Sequence, residues 1–447
     1  MTTPILDFVR AYAKKGGMRL HMPGHKGKGV LGVEWADITE IEGADVLYHA
    51  EGIIRESEDN AASLFGAHKT LYSAEGSSLS IRAMLYLTLL YAKSVGRRPI
   101  VLAGRNAHKA FMCAAAQLDL EIEFLFGENH TLLECPITAT QLDSTLAAMS
   151  EKPIAVYVTS PDYLGHTVDI VALSEVAHRH GALLLADNAH GAYMRFLSPA
   201  RHPITLGADL CCDSAHKTLP ALTGAAYLHI AKSAPKFFED CAESAFSLFA
   251  STSPSYLVLQ SLDALNAYLS EGYAEKLVEF LPYVEEMKKT LATQGYTLVG
   301  DEPLKLTLAP KSYGYMGHAL AALLQERSMT VEFADPDYTV MMLTPELGTR
   351  ALTQLEYILS SVPKKTPILS FQPSLPRPEK VMSVREALLL PSETVSTDQA
   401  CGRVLADAAV SCPPAVPIAI CGERLNKEAV RVLEYYGIRK CRVLCEK

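Results

Sequence analysis

The sequence predicts an α/β fold, with a large domain built on a mainly parallel sheet and a smaller α+β region after it. Two observations carry this. Through the middle of the chain, short and near-continuous apolar runs alternate with helical patterns, and strands that are apolar on both faces belong to parallel sheets covered by helices. The chain also has 447 residues, more than one core organises, so a second unit is expected.

The elements follow in order. "LSIRAMLYLTLLYAKS" reads as a helix, "RPIVLAG" as a strand, "NAHKAFMCAAAQL" as a helix and "EIEFLF" as a strand. "TATQLDSTLAAM" is the next helix and "IAVYVTS" the next strand; "VDIVALSEVAHRHG" is a helix, and "ALLLAD", "ADLCCDS" and "GAAYLHI" are strands. After about Ser233 longer helical patterns take over. A Pro-rich stretch over residues 362–381 then reads as a linker into a small carboxy-terminal α+β unit. In open parallel sheets ligands bind beyond the carboxyl ends of the strands. That rule singles out Arg105 to His108, Ser160 to Asp162, Asp187 to His190 and Ser214 to Lys217, and predicts that they share one crevice.

Composition narrows the partners. Hydrophobic residues make up 49% and charged ones 20%, the formal net charge is -9, and Lys and Arg are dispersed, which argues against nucleic acid. The start runs straight into "ILDFVRAYAKK" with no apolar signal region, and the longest uncharged apolar run, Ala83 to Ala92, is too short to span a bilayer. No membrane partner and a cytoplasmic location are expected. The 10 cysteines are scattered except for Cys211-Cys212 and include no C-x-x-C pair, so reduced thiols and no metal site are expected. "HMPGHKG" (21–27) pairs His with Lys, but Pro23-Gly24 forbids the regular helix on which i, i+4 histidines bind metal best.

Lys217 carries the chemistry. An amine in an apolar loop between "CCDSAH" and "TLPALTG" is set for a lowered pKa and for Schiff-base formation with a carbonyl. Pyridoxal 5'-phosphate is such a carbonyl, and it needs a carboxylate at its pyridine nitrogen, an anion cradle and a group stacked on its ring. Asp187, thirty residues earlier at a strand end, offers the carboxylate. Gly76, Ser77 and Ser78 precede a helical run and offer backbone N–H groups and hydroxyls for the phosphate. His108 at another strand end offers a ring to stack. Singly, a Gly-Ser-Ser is commonly a helix cap and a terminal Asp commonly starts a turn. The order and placement of the set give it weight.

Over nearly its whole length the chain resembles the bacterial pyridoxal-phosphate-dependent ornithine/lysine/arginine decarboxylases, in the short form without a receiver-like amino-terminal domain. The likeness rests on "LHMPGHKG", "DITEIEGADVLYHAEGIIRESEDNAASLFGA", "GRNAHKA", "VTSPDYLG", "LLLADNAHGAY", "SAHKTLPALTG", "STSPSY", "SVREALLLPSE" and "CPPAVPIAICGERL". It implies an aspartate-aminotransferase-like large domain with a seven-stranded, mainly parallel sheet and a smaller carboxy-terminal α+β domain. The implied division is an amino-terminal segment over 1–50, the cofactor-binding domain over 51–300, a small α+β region over 301–366 and a family-specific domain over 367–447.

Residue by residue, the resemblance makes Lys217 the Schiff-base lysine, Asp187 the pyridine-nitrogen partner and His108 the stacking imidazole. Gly76, Ser77, Ser78 and Ser214 take the phosphate, and Ser253 is a contact given by the neighbouring subunit of a homodimer or higher oligomer with shared active sites. His190 falls near the cofactor's phenolic oxygen, His216 is a proton donor or phosphate contact, and Glu423 is a candidate for the substrate's distal cation. The implied reaction is decarboxylation of lysine, arginine or ornithine to the corresponding amine. Two motifs depart from the family: Glu75-Gly76-Ser77-Ser78 stands for Asn-Gly-Thr-Ser, and Cys412-Pro413-Pro414-Ala415 for Tyr-Pro-Pro-Gly. They leave the choice of substrate open. The alternatives are another pyridoxal reaction, of the α-oxoamine synthase or aminotransferase kind, and a non-catalytic regulatory relative.

Overall fold

The computed structural model describes residues 1–446 apart from 129–131, 133, 370–371 and 412–415. The helix α1 (Pro4–Lys15) opens on a proline, carries Asp7 in its first turn and Lys14 and Lys15 in its last, and stops at a left-handed Gly16. The loop that follows leaves Met18, Leu20, Val30 and Leu31 bare to solvent. α2 (Ile53–Phe65) has no side chain at its own cap, Gly52; Asp45 takes that part, accepting from the N–H groups of Gly52 and Ile54 at 2.9 and 3.0 Å.

There follow β1 (Lys69–Ser73), α3 (Ser77–Ser94), β2 (Ile100–Gly104), α4 (Lys109–Leu118), β3 (Glu121–Leu125), α5 (Ala139–Ala148), β4 (Ala155–Thr159), α6 (Ile170–Arg179) and β5 (Leu183–Asp187). Then come α7 (Pro203–Leu206), β6 (Leu210–Asp213), α8 (Ala215–Thr218), β7 (Ala226–Ile230), α9 (Phe237–Ser247), α10 (Tyr256–Ser270) and α11 (Tyr273–Gln294). The seven strands form one sheet in the order β1-β7-β6-β5-β4-β2-β3. β5 with β6 and β2 with β3 run parallel, whereas β7 is antiparallel to both β6 and β1. Between β6 and β7 the chain has only the single turn α8 and no crossover helix, so β7 returns in the opposite sense. Every residue of β1, β2, β5, β6 and β7 is buried, which explains the near-continuous apolar runs of β2, β5 and β7; β1, Lys-Thr-Leu-Tyr-Ser, is buried without being one.

Past α11, an antiparallel sheet of order β10-β11-β9-β8 is made by β8 (Thr297–Val299), β9 (Lys305–Ala309), β10 (Phe333–Ala334) and β11 (Thr339–Met342), with α12 (Gly317–Gln325) and α13 (Thr349–Ser361) in the same region. The last segment holds β12 (Glu379–Lys380), α14 (Val384–Leu389), β13 (Ser392–Ser396), β14 (Ala409–Ser411), β15 (Pro417–Ile420), β16 (Glu423–Arg424), α15 (Lys427–Tyr435) and β17 (Lys440–Leu444). It is α+β, with strands paired β12 with β16, β13 with β17 and β14 with β15. Ser383 and Glu386 form a reciprocal capping box at the start of α14, on the "SVREALLL" pattern.

By compactness the chain divides into two units, each discontinuous. The first comprises Met1–Pro99, Glu151–Val156 and Ile170–Glu275; the second comprises Ile100–Ser150, Tyr157–Asp169 and Lys276–Lys447. No helix among the described residues is long and apolar enough to cross a membrane. The described cysteines are all free thiols.

Candidate active site

In the first unit the start of α3 is an open anion cradle. Gly76 adopts φ 72° and ψ 177°, a backbone region that essentially only glycine occupies, and its N–H donates to Gly224 at 2.8 Å. No side chain caps the helix, and a Cβ placed at Gly76 would meet nothing within 4 Å. The first-turn N–H groups and the Ser77 and Ser78 hydroxyls are therefore gathered at the positive end of an 18-residue helix. Ser214 donates its hydroxyl to Ser77 at 2.8 Å, which joins the cradle to the turn carrying Lys217. Glu75, the acidic departure, turns toward the chain instead: its carboxylate accepts from Ser251 N–H at 2.7 Å. It thereby pins the exposed loop that contains Ser253.

The adjacent ends of β5 and β6 supply the remaining groups. Asp187, 2% exposed, accepts from the Ala189 N–H at 3.2 Å and from the Cys212 thiol at 3.6 Å. Burial pushes the Cys212 thiol well up, so it stays protonated as a donor. Lys217 Nζ lies 3.1 Å from His190 Nε2. His216 donates Nδ1–H to the Ala225 carbonyl at 2.8 Å, which leaves the lone pair on Nε2. Burial, together with the neighbouring Lys217 charge, lowers its pKa, so the ring is neutral near pH 7 and suited to accept a proton rather than donate one.

The sequence-predicted residues Gly76, Ser77, Ser78, Asp187, His190, Ser214, His216 and Lys217 thus gather in the first unit, with Ser253 on its tethered loop. The second unit holds His108 and Glu423. His108 is the N-cap of α4, its Nδ1 accepting from Ala110 N–H at 3.2 Å. The expectation for Glu423 is corrected by its surroundings: both oxygens are taken by Arg105 at 2.8 Å each, one also accepts from Ile420 N–H at 2.9 Å, and both side chains are buried. The carboxylate thus already has its counter-cation within the chain, with both oxygens engaged by Arg105. The Cys412 to Ala415 motif lies outside the described residues. The "HMPGHKG" loop is held from within, His21 by Tyr12 at 2.6 Å and His25 by Asp37 at 3.2 Å, while Lys26 donates to the His21 carbonyl.

Two groupings go beyond the sequence reading, which singles out Asn106 and Asp162 as strand-end residues but neither His166 nor the surroundings of Asp213. In the second unit a cavity of 270 Å³ is lined by Asn106, Glu134, Asp162, His166, Thr167 and Asp301 among others. His166 sits 2.9 Å from Asp162 and 3.4 Å from Glu134; although burial opposes it, these carboxylates raise its pKa. In the first unit a fully buried Asp213 is ringed by His202, His229 and Asn188. Only the position of Asp213 beside Ser214 could have drawn attention to it.

The donor set of the first unit fits pyridoxal phosphate. An uncapped helix start with two hydroxyls suits a phosphate, a buried carboxylate suits a protonated pyridine nitrogen, and a lysine with an adjacent imidazole suits a carbonyl. The chain is 29% identical to "Uncharacterized protein YaaO" of Bacillus subtilis, covering 97% of this chain and 94% of that one. It is 28% identical to the arginine decarboxylase of the same organism, covering 96% and 92%. The structure superimposes on the lysine decarboxylase LdcF of Francisella novicida with a TM-score of 0.80 at 15% identity, covering 99% of this chain and 81% of that one. The profile of the Orn/Lys/Arg decarboxylase major domain matches residues 3–299, and that of the family's C-terminal domain matches residues 375–440. With two thirds of its length in the first of these matches, the chain belongs to the Orn/Lys/Arg decarboxylase family.

Proposed function

We propose that this protein is a pyridoxal-phosphate-dependent decarboxylase of a basic amino acid, working as an oligomer whose subunits share active sites. The observation that carries the reading is the placement of Lys217 against His190, one turn from a Ser214 hydroxyl bonded to Ser77 at the open start of α3. When bound, pyridoxal phosphate supplies the carbonyl that captures the substrate amine and the ring that takes up the electron pair left by carbon dioxide. The chain's own residues do the rest. Ser77, Ser78 and Ser214 hold the phosphate with the N–H groups of α3. Asp187, kept out of water, holds a proton on the pyridine nitrogen. Lys217 would be the amine that holds the carbonyl, and His190, 3.1 Å from Nζ, would hold or return a proton at that atom. Lys217 is then the group that protonates the α-carbon, because His216 has its one N–H committed to Ala225.

The arginine decarboxylases among the relatives make arginine the first substrate to test. Carbon dioxide release is measured from purified, cofactor-loaded protein given arginine, lysine and ornithine separately, with Lys217→Ala as the control. Release from one of them, abolished in the control, is expected. A cofactor-loaded protein that releases none from any of the three would overturn the decarboxylase reading.

A further inference from the structure

We propose that Asp213 is a positioning residue for the cofactor site, a buried anion that fixes from behind the two strand ends bearing Asp187 and Lys217. The inference rests on the reading of that site as a pyridoxal phosphate site. Asp213 ends β6 and is 0% exposed. One of its oxygens receives His202 Nε2 at 2.9 Å and His229 Nε2 at 3.1 Å; the other receives Asn188 Nδ2 at 2.6 Å, with the Cys211 thiol at 3.7 Å.

The tautomers follow from what each ring meets. His202 Nδ1 accepts from Ile204 N–H at 3.3 Å, and His229 Nδ1 faces the Thr70 hydroxyl at 2.8 Å. His202 therefore carries its proton on Nε2; His229 does so because the Asp213 carboxylate only accepts, and the Thr70 hydroxyl then donates to its Nδ1. Three N–H donors meet one carboxylate that is 0% exposed. Burial works against the charge, but the two imidazoles hold the carboxyl well below the usual carboxylate range. His202, Cys211 and Asp213 also bring ligand atoms within 4.8 Å of one another, as a metal site would. Both imidazole Nε2 atoms are already donors to the carboxylate, however, so neither has a lone pair to offer a metal.

Strand alternation gives this unit its reach. Along β6, Cys212 touches Asp187, while Cys211 and Asp213 point to the other face of the sheet. Asn188 directly follows Asp187, and its N–H extends the ladder to Cys212 at 2.9 Å, so its side chain points away from the Asp187 face and onto Asp213. Ser214, the next residue after Asp213, starts the turn that carries Lys217. A single carboxylate on the far face thus ties the residue after Asp187 to the residue before Ser214. Groups that orient a ligating side chain from behind change affinity and chemistry without touching the ligand.

The test uses the full chain with Asp213→Asn and, separately, Asn188→Ala. The first turns an acceptor toward three donors into an amide that must oppose one of them; the second cuts only the tether to β5. For each, pyridoxal phosphate affinity is measured by titration, and the absorbance band of the lysine-bound cofactor is followed against pH at a temperature where the protein is folded. Both variants are expected to bind the cofactor about tenfold or more weakly and to shift the pH midpoint of the band. A loss of melting temperature alone, with affinity and midpoint unchanged in either variant, would sink the proposal; if Asp213→Asn does not fold, Asn188→Ala decides it. An unaltered chain that takes up no pyridoxal phosphate would remove the cofactor reading itself, and the role of Asp213 with it.

Discussion

Arg105 and Glu423 are each buried and each useless without the other. Arg105 also lies 5.2 and 5.3 Å from the Phe124 and Phe126 ring centres, so its guanidinium is held between an ion pair and two aromatic faces. Replacing one partner strands the other charge in a dry site, at a cost of about 3–5 kcal/mol. Glu423→Gln and Arg105→Met should each lower the unfolding free energy read from urea titration by that order, and the Arg105→Met/Glu423→Leu double variant should recover most of the loss. A double variant as unstable as the sum of the singles would contradict the pairing. The pair was invisible in the sequence because its members are 318 residues apart, and an isolated Glu in "CGERL" looks as ready for a substrate as for an arginine. The positions of Asp187 and Lys217 were legible for the opposite reason: Asp187 ends β5 and Lys217 follows the end of β6 within one turn, and the local pattern already says where each strand stops. The Ser214 to Ser77 bond and the Asp213 ring needed the fold to bring distant segments together.

At the scale of elements, the buried strands and the helices between them were readable because apolar runs and 3.6-residue periodicity are local properties. β1 carries no such contrast with its surroundings, and the reversal of β7 depends on what connects it rather than on its own residues. The start of α3 shows how backbone geometry can matter more than room. A side chain at Gly76 has empty space before it, yet φ 72° with ψ 177° is strained for any residue with a Cβ, by about 1–3 kcal/mol. Gly76→Ala should therefore lower stability by that order in urea unfolding and weaken pyridoxal phosphate binding as the first turn of α3 relaxes. Unchanged values for both would show that the cradle does not need this conformation. Glu75→Gln should loosen the loop that holds Ser253, read as faster proteolysis within residues 250–255, because the Ser251 N–H then faces a weaker acceptor.

Across the whole molecule, the buried ionisable groups set how stability responds to pH. Burial pushes Glu58 up to about 8, so the folded state keeps a proton that the unfolded chain has lost. Its contribution is complete below its ordinary value of 4.5 and is lost as pH rises toward 8. His166, raised by Asp162 and Glu134 against the pull of burial, keeps its contribution below 6.5 and loses it above. These two groups should therefore make stability fall as pH rises from about 4.5 to 8, with His166 joining above 6.5, and Glu58→Gln with His166→Asn should flatten that slope in chemical denaturation. A slope untouched by both changes would locate the titrating groups elsewhere. The division of the chain has a further consequence in time rather than in energy. Six alternating segments make up the two compact units, so the chain changes unit five times. During synthesis the first unit has all its parts only once Glu275 has emerged, and by then two segments of the second unit are already waiting for the rest of theirs. Each unit closes through contacts between distant segments, the arrangement that slows folding and leaves apolar edges uncovered meanwhile. A nascent chain halted near residue 275 would thus be the species most in need of a chaperone.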